Sequence, residues 1–418
     1  LFHFKPFGRF LQRYPLTDRV TFSFDAPSAI LAGAFNGLAI TFTGIIGRKI
    51  GMDSYMLALM SISIFVGLFL SVWVGHLSEK GDKAAWVFWP GVISRGVVAL
   101  GGLIVNPVLF LVVMCVYYIV STFPGPAYSS IMRSNYSDRH RGAIMGSIRI
   151  IIQLTSAVTA GFAGWFMEAN SAGYQILLPL AACFGIASSL SFRRVKVRKA
   201  SPSVEGELHQ PSFRQSLREI AKDRWFLLFC GVFFVIGFPD KLIIPLEPIR
   251  FVDELNMSYG IAGVVQGTIP LLGSILGYFL CVRFSHRFSP LPLLVVTVLL
   301  ASTRFLNIAV ADNPYQLIPG AFLNGMALAG WDLLSLFALF LFASPEKVSL
   351  YLGFHGTLVG VRGVLGPILG TWFYEGLHWS IVSIYWIAFW LEIAGVIMLL
   401  AFWYYFSKRQ KAHDQPRP

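Results

Sequence analysis

Charge is what this sequence has least of. Asp, Glu, Lys and Arg together make up 13% of its 418 residues, about half the share usual in a water-soluble domain. Acidic residues are scarcest, 21 against 33 Lys and Arg. Cysteine is rare too: Cys115, Cys183, Cys230 and Cys281 stand far apart in apolar stretches. Without a CxxC or Cys/His spacing, neither a disulfide framework nor a metal site is expected. No Walker-type glycine-lysine run is present, which argues against ATP hydrolysis by this chain. No signal-peptide pattern precedes the first long apolar run. The chain opens on Leu1 rather than Met, so a trimmed or non-standard start is expected. These absences exclude a soluble enzyme, a nucleic-acid binder and a disordered scaffold. What is present in excess is apolar surface, 56% of residues with a mean hydropathy of +0.66. The composition is that of a polytopic membrane protein. Its formal charge of +12 fits basic loops lying on anionic lipid headgroups.

A membrane-crossing helix needs about 20 apolar residues. Twelve such runs are predicted, near 24–46, 54–76, 86–105, 107–130, 142–167 and 173–192, then 225–246, 258–282, 291–311, 315–343, 350–374 and 380–406. Polar residues 193–223 separate the two sixes, giving an N-terminal bundle over 1–192, a linker over 193–223 and a C-terminal bundle over 224–418. With both termini placed in the cytoplasm, cytoplasmic segments hold 25 of the 33 Lys and Arg. The opposite loops then hold Arg48, Lys49, Lys241 and Arg250, and four arginines remain inside spans. The positive-inside rule therefore sets the expected orientation.

The halves repeat one another. Asn106-Pro107 before span 4 returns as Asn313-Pro314 before span 10, Gly146 returns as Gly353, and Trp165-Phe166-Met167-Glu168 returns as Trp372-Phe373-Tyr374-Glu375, all at an offset of 207. Ser54-Tyr55 and Ser258-Tyr259 open spans 2 and 8 at an offset of 204.

Two parallel six-helix halves joined by a basic loop resemble the major facilitator superfamily over essentially the whole chain. The loop after span 2, Gly75-His76-Leu77-Ser78-Glu79-Lys80-Gly81-Asp82-Lys83, is similar to that family's Gly-x-Leu-x-Asp-Arg-x-Gly-Arg-Lys signature. It has Glu79 for Asp and Lys80 for Arg and runs one residue short. Span 4 carries no internal Arg and span 5 no Gly-Pro run, which departs from the drug-antiporter pattern; a Gly366-Pro367-x-x-Gly370 run stands in span 11 instead. The resemblance implies an all-α membrane protein, with twelve transmembrane helices in two pseudo-symmetric six-helix bundles. It also implies that spans 1, 4, 7 and 10 line a central cavity, with a substrate site near mid-depth.

Ionisable and polar residues at that depth are the candidates, because each is costly unless paired or hydrated. Span 10 carries Asn324, Trp331, Asp332 and Ser335 on one helical face, and span 11 carries His355 and Arg362. Asp332 and Arg362 are expected to pair, either as a proton or substrate switch or as a static tie between helices. Span 5 offers Arg149, Gln153 and Ser156; Arg149 reads equally as a carboxylate or phosphate clamp and as a snorkelling or gating residue. Span 4 adds Tyr117, Ser121 and Tyr128 around a kink at Pro124-Gly125-Pro126, and span 1 adds Asn36 and Thr43. Asp25, just before Pro27, reads first as the N-cap of span 1 and second as a proton carrier. Gly75, Glu79, Lys80 and Asp240 are gate candidates; Asp240 and Lys241 are sequence neighbours whose side chains are expected to diverge. Arg95, Arg304 and Glu392 are read as structural, with an Arg304–Glu392 pair. Glu168 and Glu375 are either outer gates or solvated loop residues.

The functional expectation is a secondary active transporter, not an enzyme, acting by rocker-switch alternating access. It moves a small anionic or zwitterionic solute with protons as the coupling ion and needs no cofactor and no metal. A membrane assembly or sensor protein without transport, and a lipid flippase, remain alternatives. The partners expected are the small-molecule substrate, protons and membrane lipid, with no nucleic acid. The protein is expected to act as a monomer in the bacterial inner membrane with both termini cytoplasmic.

Overall fold

The structure is a computed structural model that describes residues 15–79, 81–170, 172–196, 220–285, 287–339, 341–342 and 348–414. Among these residues there is no strand, and twelve helices are long and apolar enough to cross a membrane. They are α1 (Asp18–Lys49), α2 (Ser54–Ser78), α3 (Lys83–Gly101), α4 (Pro107–Asn135), α5 (His140–Ala169) and α6 (Gly173–Arg193), then α7 (Arg224–Ile243), α8 (Tyr259–Ser285), α9 (Pro290–Val310), α10 (Pro314–Leu339), α11 (Tyr351–Gly376) and α12 (Ile381–Arg409). Each overlaps one apolar run of the sequence. Most of the linker, 197–219, lies outside the described residues.

Helix beginnings follow capping chemistry. The Asn106 side chain accepts from the amides of Val108 and Leu109, with Pro107 in the first turn. Asn313 does the same for Tyr315 and Gln316 ahead of α10. The repeated Asn-Pro pair is thus a repeated start signal, with an amide oxygen on orphan N–H groups and a proline where no donor is needed. Asp82 caps α3 and Asp223 caps α7. Asp25 is not a cap. The helical stretch that opens α1 runs without a break from Leu16 to Leu38, through Pro27, so Asp25 lies inside it.

Interruptions fall where proline and glycine collect. Around Ser121–Phe123 the α4 bonds shorten to an i→i−3 pattern, Thr122 N to Ile119 O and Phe123 N to Val120 O, and the helix restarts with Pro124 at its first position. The early turns of α8 widen into a π-helical stretch at Gly263–Thr268, and α11 ends in another at Trp372–Gly376.

Two compact units result. The first comprises Leu1–Met52, Ser63–Glu205 and Ser258–Thr268; the second comprises Asp53–Ile62, Gly206–Met257 and Ile269–Pro418. Each unit therefore includes the opening turns of a helix from the other half of the sequence. In the first, a Cβ on Gly33 would lie 2.5 Å from the Ile152 carbonyl oxygen, and one on Gly164 would lie 2.6 Å from that of Tyr259. In the second, Gly277 meets the Met326 backbone, Gly325 the Pro270 carbonyl and Gly370 the Leu242 carbonyl. Small residues four apart let membrane helices approach this closely. The first core joins Phe22, Ile131, Met132, Tyr136, Ile144 and Phe192; the second is richer in rings, with Phe226, Phe229, Phe233, Phe402 and Phe406.

Candidate functional site

In the first unit, polar groups meet around Asp25. Its side chain comes from the first third of α1 and the residue is 3% exposed. One carboxylate oxygen accepts from the Tyr136 hydroxyl at 3.0 Å and from the Tyr128 hydroxyl at 3.5 Å. Tyr128 reaches it because α4 restarts after its break, and Tyr136 closes the end of that same segment. The group borders a cavity of about 290 Å³, lined also by Ser28, Arg95, Ser121 and Ser189. Arg95 donates to the Gly185 carbonyl at 2.9 Å and to the Ser189 hydroxyl at 2.8 Å, and Gly185 has no room for a side chain beside it. Arg95, read from sequence as structural, thus ties α3 to α6 and also borders the cavity. Ser28 and Ser188 bond each other across α1 and α6.

Of the remaining first-unit candidates, Ser121 alone is among the residues lining this cavity. Ser121 lines the cavity and donates to the Tyr118 carbonyl at 3.0 Å. Tyr117 is buried in ring contacts with Phe35 and Tyr118. Asn36 is half-buried, its carbonyl accepting from Thr41, and Thr43 bonds the Tyr118 hydroxyl at 2.8 Å. Arg149 is exposed on α5 within electrostatic reach of Tyr128, Gln153 is half-buried, and Ser156 is buried. Gly75 packs against Pro126 of α4. Lys80 and the Glu79 side chain lie outside what is described. Asp82 and Lys83 of the same loop are placed: Lys83 donates to Ser130 at 2.7 Å.

The second unit corrects three expectations. Asp332 and Arg362 do not pair. Asp332 is exposed and accepts from the Tyr278 hydroxyl of α8 at 3.0 Å, whereas Arg362, 5% exposed, donates to the Phe233 carbonyl of α7 at 2.6 Å. Gly237, one turn past Phe233, leaves the room that the guanidinium occupies. Nor does Arg304 pair with Glu392: it bonds Asp240 at 2.9 Å and Glu247. The Asp240 and Lys241 side chains do not diverge, for Lys241 folds back onto Asp240 at 2.7 Å. A long lysine stem can do this where two neighbouring backbone positions cannot. Trp331 lies tilted against Phe233 at 4.9 Å between ring centres, His355 lies edge-on to the same ring at 5.7 Å, and Asn324 is half-buried on α10.

The ends of α5 and α11 carry a repeated arrangement. Glu168 accepts from the Gly260 amide at the start of α8, and Glu375 accepts from the Ser54 hydroxyl at the start of α2 at 2.5 Å. Both acids therefore serve helix N-termini, where negative charge is favoured.

The residues that sequence reading placed too low are Asp25 with Tyr128 and Tyr136. Tyr136 carries no sequence signal, since the contact spans 111 positions. Among the described residues no group of His, Cys, Asp and Glu is arranged to hold a metal ion.

The family model described as Major Facilitator Superfamily matches residues 26–240 and 229–418. The chain belongs to this superfamily. Its members are transporters of small molecules, and the chain is an integral multi-pass membrane protein with their fold. A bacterial homologue of the human lysosomal transporter Spinster, inward-facing and unoccupied, superposes with a TM-score of 0.63 at 15% identity over 96% of this chain and 99% of that one. The nucleoside transporter NupG gives 0.66 at 12% identity over 93% and 99%. Among curated relatives, the multidrug resistance protein MdtH of Aeromonas hydrophila is 28% identical over 149 residues, 36% of this chain and 37% of that protein. MdtH of Yersinia pestis is 27% identical over the same length. The matched stretch thus covers little more than a third of these relatives.

Proposed function

We propose that this chain is a proton-coupled secondary transporter. It moves a small anionic or zwitterionic solute by alternating access, as a monomer in a bacterial inner membrane with both termini cytoplasmic. One observation carries the coupling: Asp25, a carboxylate sunk in a membrane helix, borders a cavity and is held by two tyrosine hydroxyls. An ionisable group buried within a membrane helix is retained where it has work to do. The tyrosines stabilise the charged form by donating to it. A proton arriving through the cavity replaces those donors as the partner of the charge. Arg95 across the same cavity offers a cation for a substrate carboxylate or phosphate, so a zwitterion can bridge the two.

Asp332, exposed beside Tyr278, is the second acid in this scheme, and Arg149 on α5 is the solute's second cationic contact. The MdtH relatives favour a further reading, in which Asp25 with the rings of Tyr128 and Phe192 receives a cationic, aromatic drug. Proteoliposomes holding the purified chain separate the two. The protein is given an imposed pH gradient and a panel of organic anions, amino-acid-like zwitterions and cationic dyes. The expected result is gradient-driven accumulation of a zwitterion or anion that drops about tenfold or more, the scale of a lost 1.4 kcal/mol interaction, in Asp25→Asn. Transport indifferent to pH gradients in both proteins removes the coupling. Movement of dyes alone selects the drug reading, and no transport of any solute supports a non-transporting role.

A further inference from the structure

The second unit buries a carboxylate that the scheme above does not use. Glu392, on α12, is 3% exposed, and its Oε2 is buried without a hydrogen-bond partner. The face it occupies is fixed by packing: Gly395, one turn further along, meets Ile236 of α7, and residues three apart share a helix face. Asp240 lies one turn beyond Ile236 on α7, and the Arg362 guanidinium fills the space beside Gly237, the residue after Ile236; both charges act on Glu392.

The charges around it divide unevenly. Asp240 takes both Arg304 from α9 and Lys241 from α7, and Arg304 also holds Glu247. Arg250 is engaged with Glu254 and with the carbonyls of Ile308 and Ala311. Two groups of opposite sign are left without an ionic partner, and His355, seven residues before Arg362 on α11, buries a ring nitrogen with no hydrogen bond. Arg362 spends one N–H on the neutral Phe233 carbonyl while its Nε finds no partner, and Glu392 has an empty oxygen. Tyr385, seven residues before Glu392, is fully buried with its hydroxyl also unpartnered. An isolated carboxylate in such a place is far more costly than a neutral acid. An arginine stays charged wherever it is put.

We propose that Glu392 is a proton-binding site, neutral in this conformation, and that Arg362 is the counter-charge whose approach expels the proton. When α11 shifts so that Arg362 leaves the Phe233 carbonyl for Glu392, the O–H bond breaks. The electron pair stays on the carboxylate, and the proton passes to water. Gly237 keeps the path of the guanidinium open. The inference deepens the proton-coupled reading and rests on it for its role in transport. The protonation itself stands on the geometry of α7, α11 and α12.

Infrared spectroscopy of the purified full chain in lipid nanodiscs tests the proposal, because a neutral buried carboxylic acid has its own carbonyl band. Asp25→Asn removes one of the other buried acids, Asp18 being the second, so Glu392 is read from the part of the carbonyl band that E392Q removes on this background. That part is expected at neutral pH in D25N and absent in D25N/E392Q. It is expected to shift, not vanish, in D25N/E392D, which controls for misfolding alongside monodisperse elution. Arg362→Met on the same background should carry the band to higher pH, and Arg362→Lys should restore its titration. A band unchanged by E392Q, or a titration indifferent to R362M, overturns the proposal. Because the readout is the proton and not the solute, it can fail while Asp25-dependent transport survives, and the reverse.

Discussion

At the scale of single residues, the membrane interior makes hydrogen bonding decisive. Asp25 is stabilised by the Tyr136 hydroxyl more than by Tyr128, at 3.0 against 3.5 Å. Tyr136→Phe deletes that donor while leaving the buried ring, so the loss is about 1.5–3 kcal/mol, the worth of a hydrogen bond to a charged group. The expected outcome is a lower midpoint in thermal denaturation of the detergent-solubilised protein, together with a shifted pH profile of transport. Tyr128→Phe should cost less. Equal losses from the two variants would mean that the 3.0 Å contact is not the dominant one. Sequence reading found the charged residues of this layer but not their partners. Asp332, Arg362, Arg304 and Glu392 are conspicuous because they interrupt apolar runs. Their pairing depends on which helices adjoin, and that is set by contacts 64 and 129 positions apart.

At the scale of helices, local chemistry was far more legible. Asn106-Pro107 and Asn313-Pro314 could be read as equivalent from their spacing alone, and both prove to be caps. Asn106→Ala and Asn313→Ala should each cost about 0.5–2 kcal/mol, with similar losses in thermal midpoint because the roles are duplicated. A loss confined to one variant would show that the repeat shares sequence but not function. Helix packing was not read from the sequence, although its signal is there. Gly33-x-x-x-Gly37, Gly273-x-x-x-Gly277 and Gly366-x-x-x-Gly370 are small-residue pairs of the kind that bring membrane helices together, and each lies against a neighbouring helix. The last was visible only as a Gly-Pro run. The misreading of Asp25 as a cap came from trusting Pro27 as a start signal; a proline inside a membrane helix is tolerated because neighbouring groups re-satisfy the backbone.

At the scale of the molecule, the distribution of Lys and Arg makes the strongest statement. In the proposed orientation, which follows the positive-inside rule, both termini and the loops after α2, α4, α6, α8 and α10 face the cytoplasm. Single cysteines, introduced after replacing the four native ones, test this in intact cells. A cysteine at Asn170, exposed in the loop after α5, should react with a membrane-impermeant maleimide from outside. One at Ser201 in the linker should react only after lysis. The opposite pattern would invert the orientation and exchange import for export in every transport measurement. The twelve helices and the repeat were legible because apolar length and periodic spacing are properties of the chain itself. The site was less so, because it depends on which helices meet.

The make-up of the two units has a consequence for biogenesis. The stretch Ser258–Thr268, which completes the first unit, is translated only after the linker and the whole of α7 have left the ribosome. Until then the glycine face of α5 that later receives Tyr259 and Gly263 stands uncovered in the bilayer. A nascent chain arrested after its sixth span is therefore an unfinished object, and quality-control proteases should meet it as one.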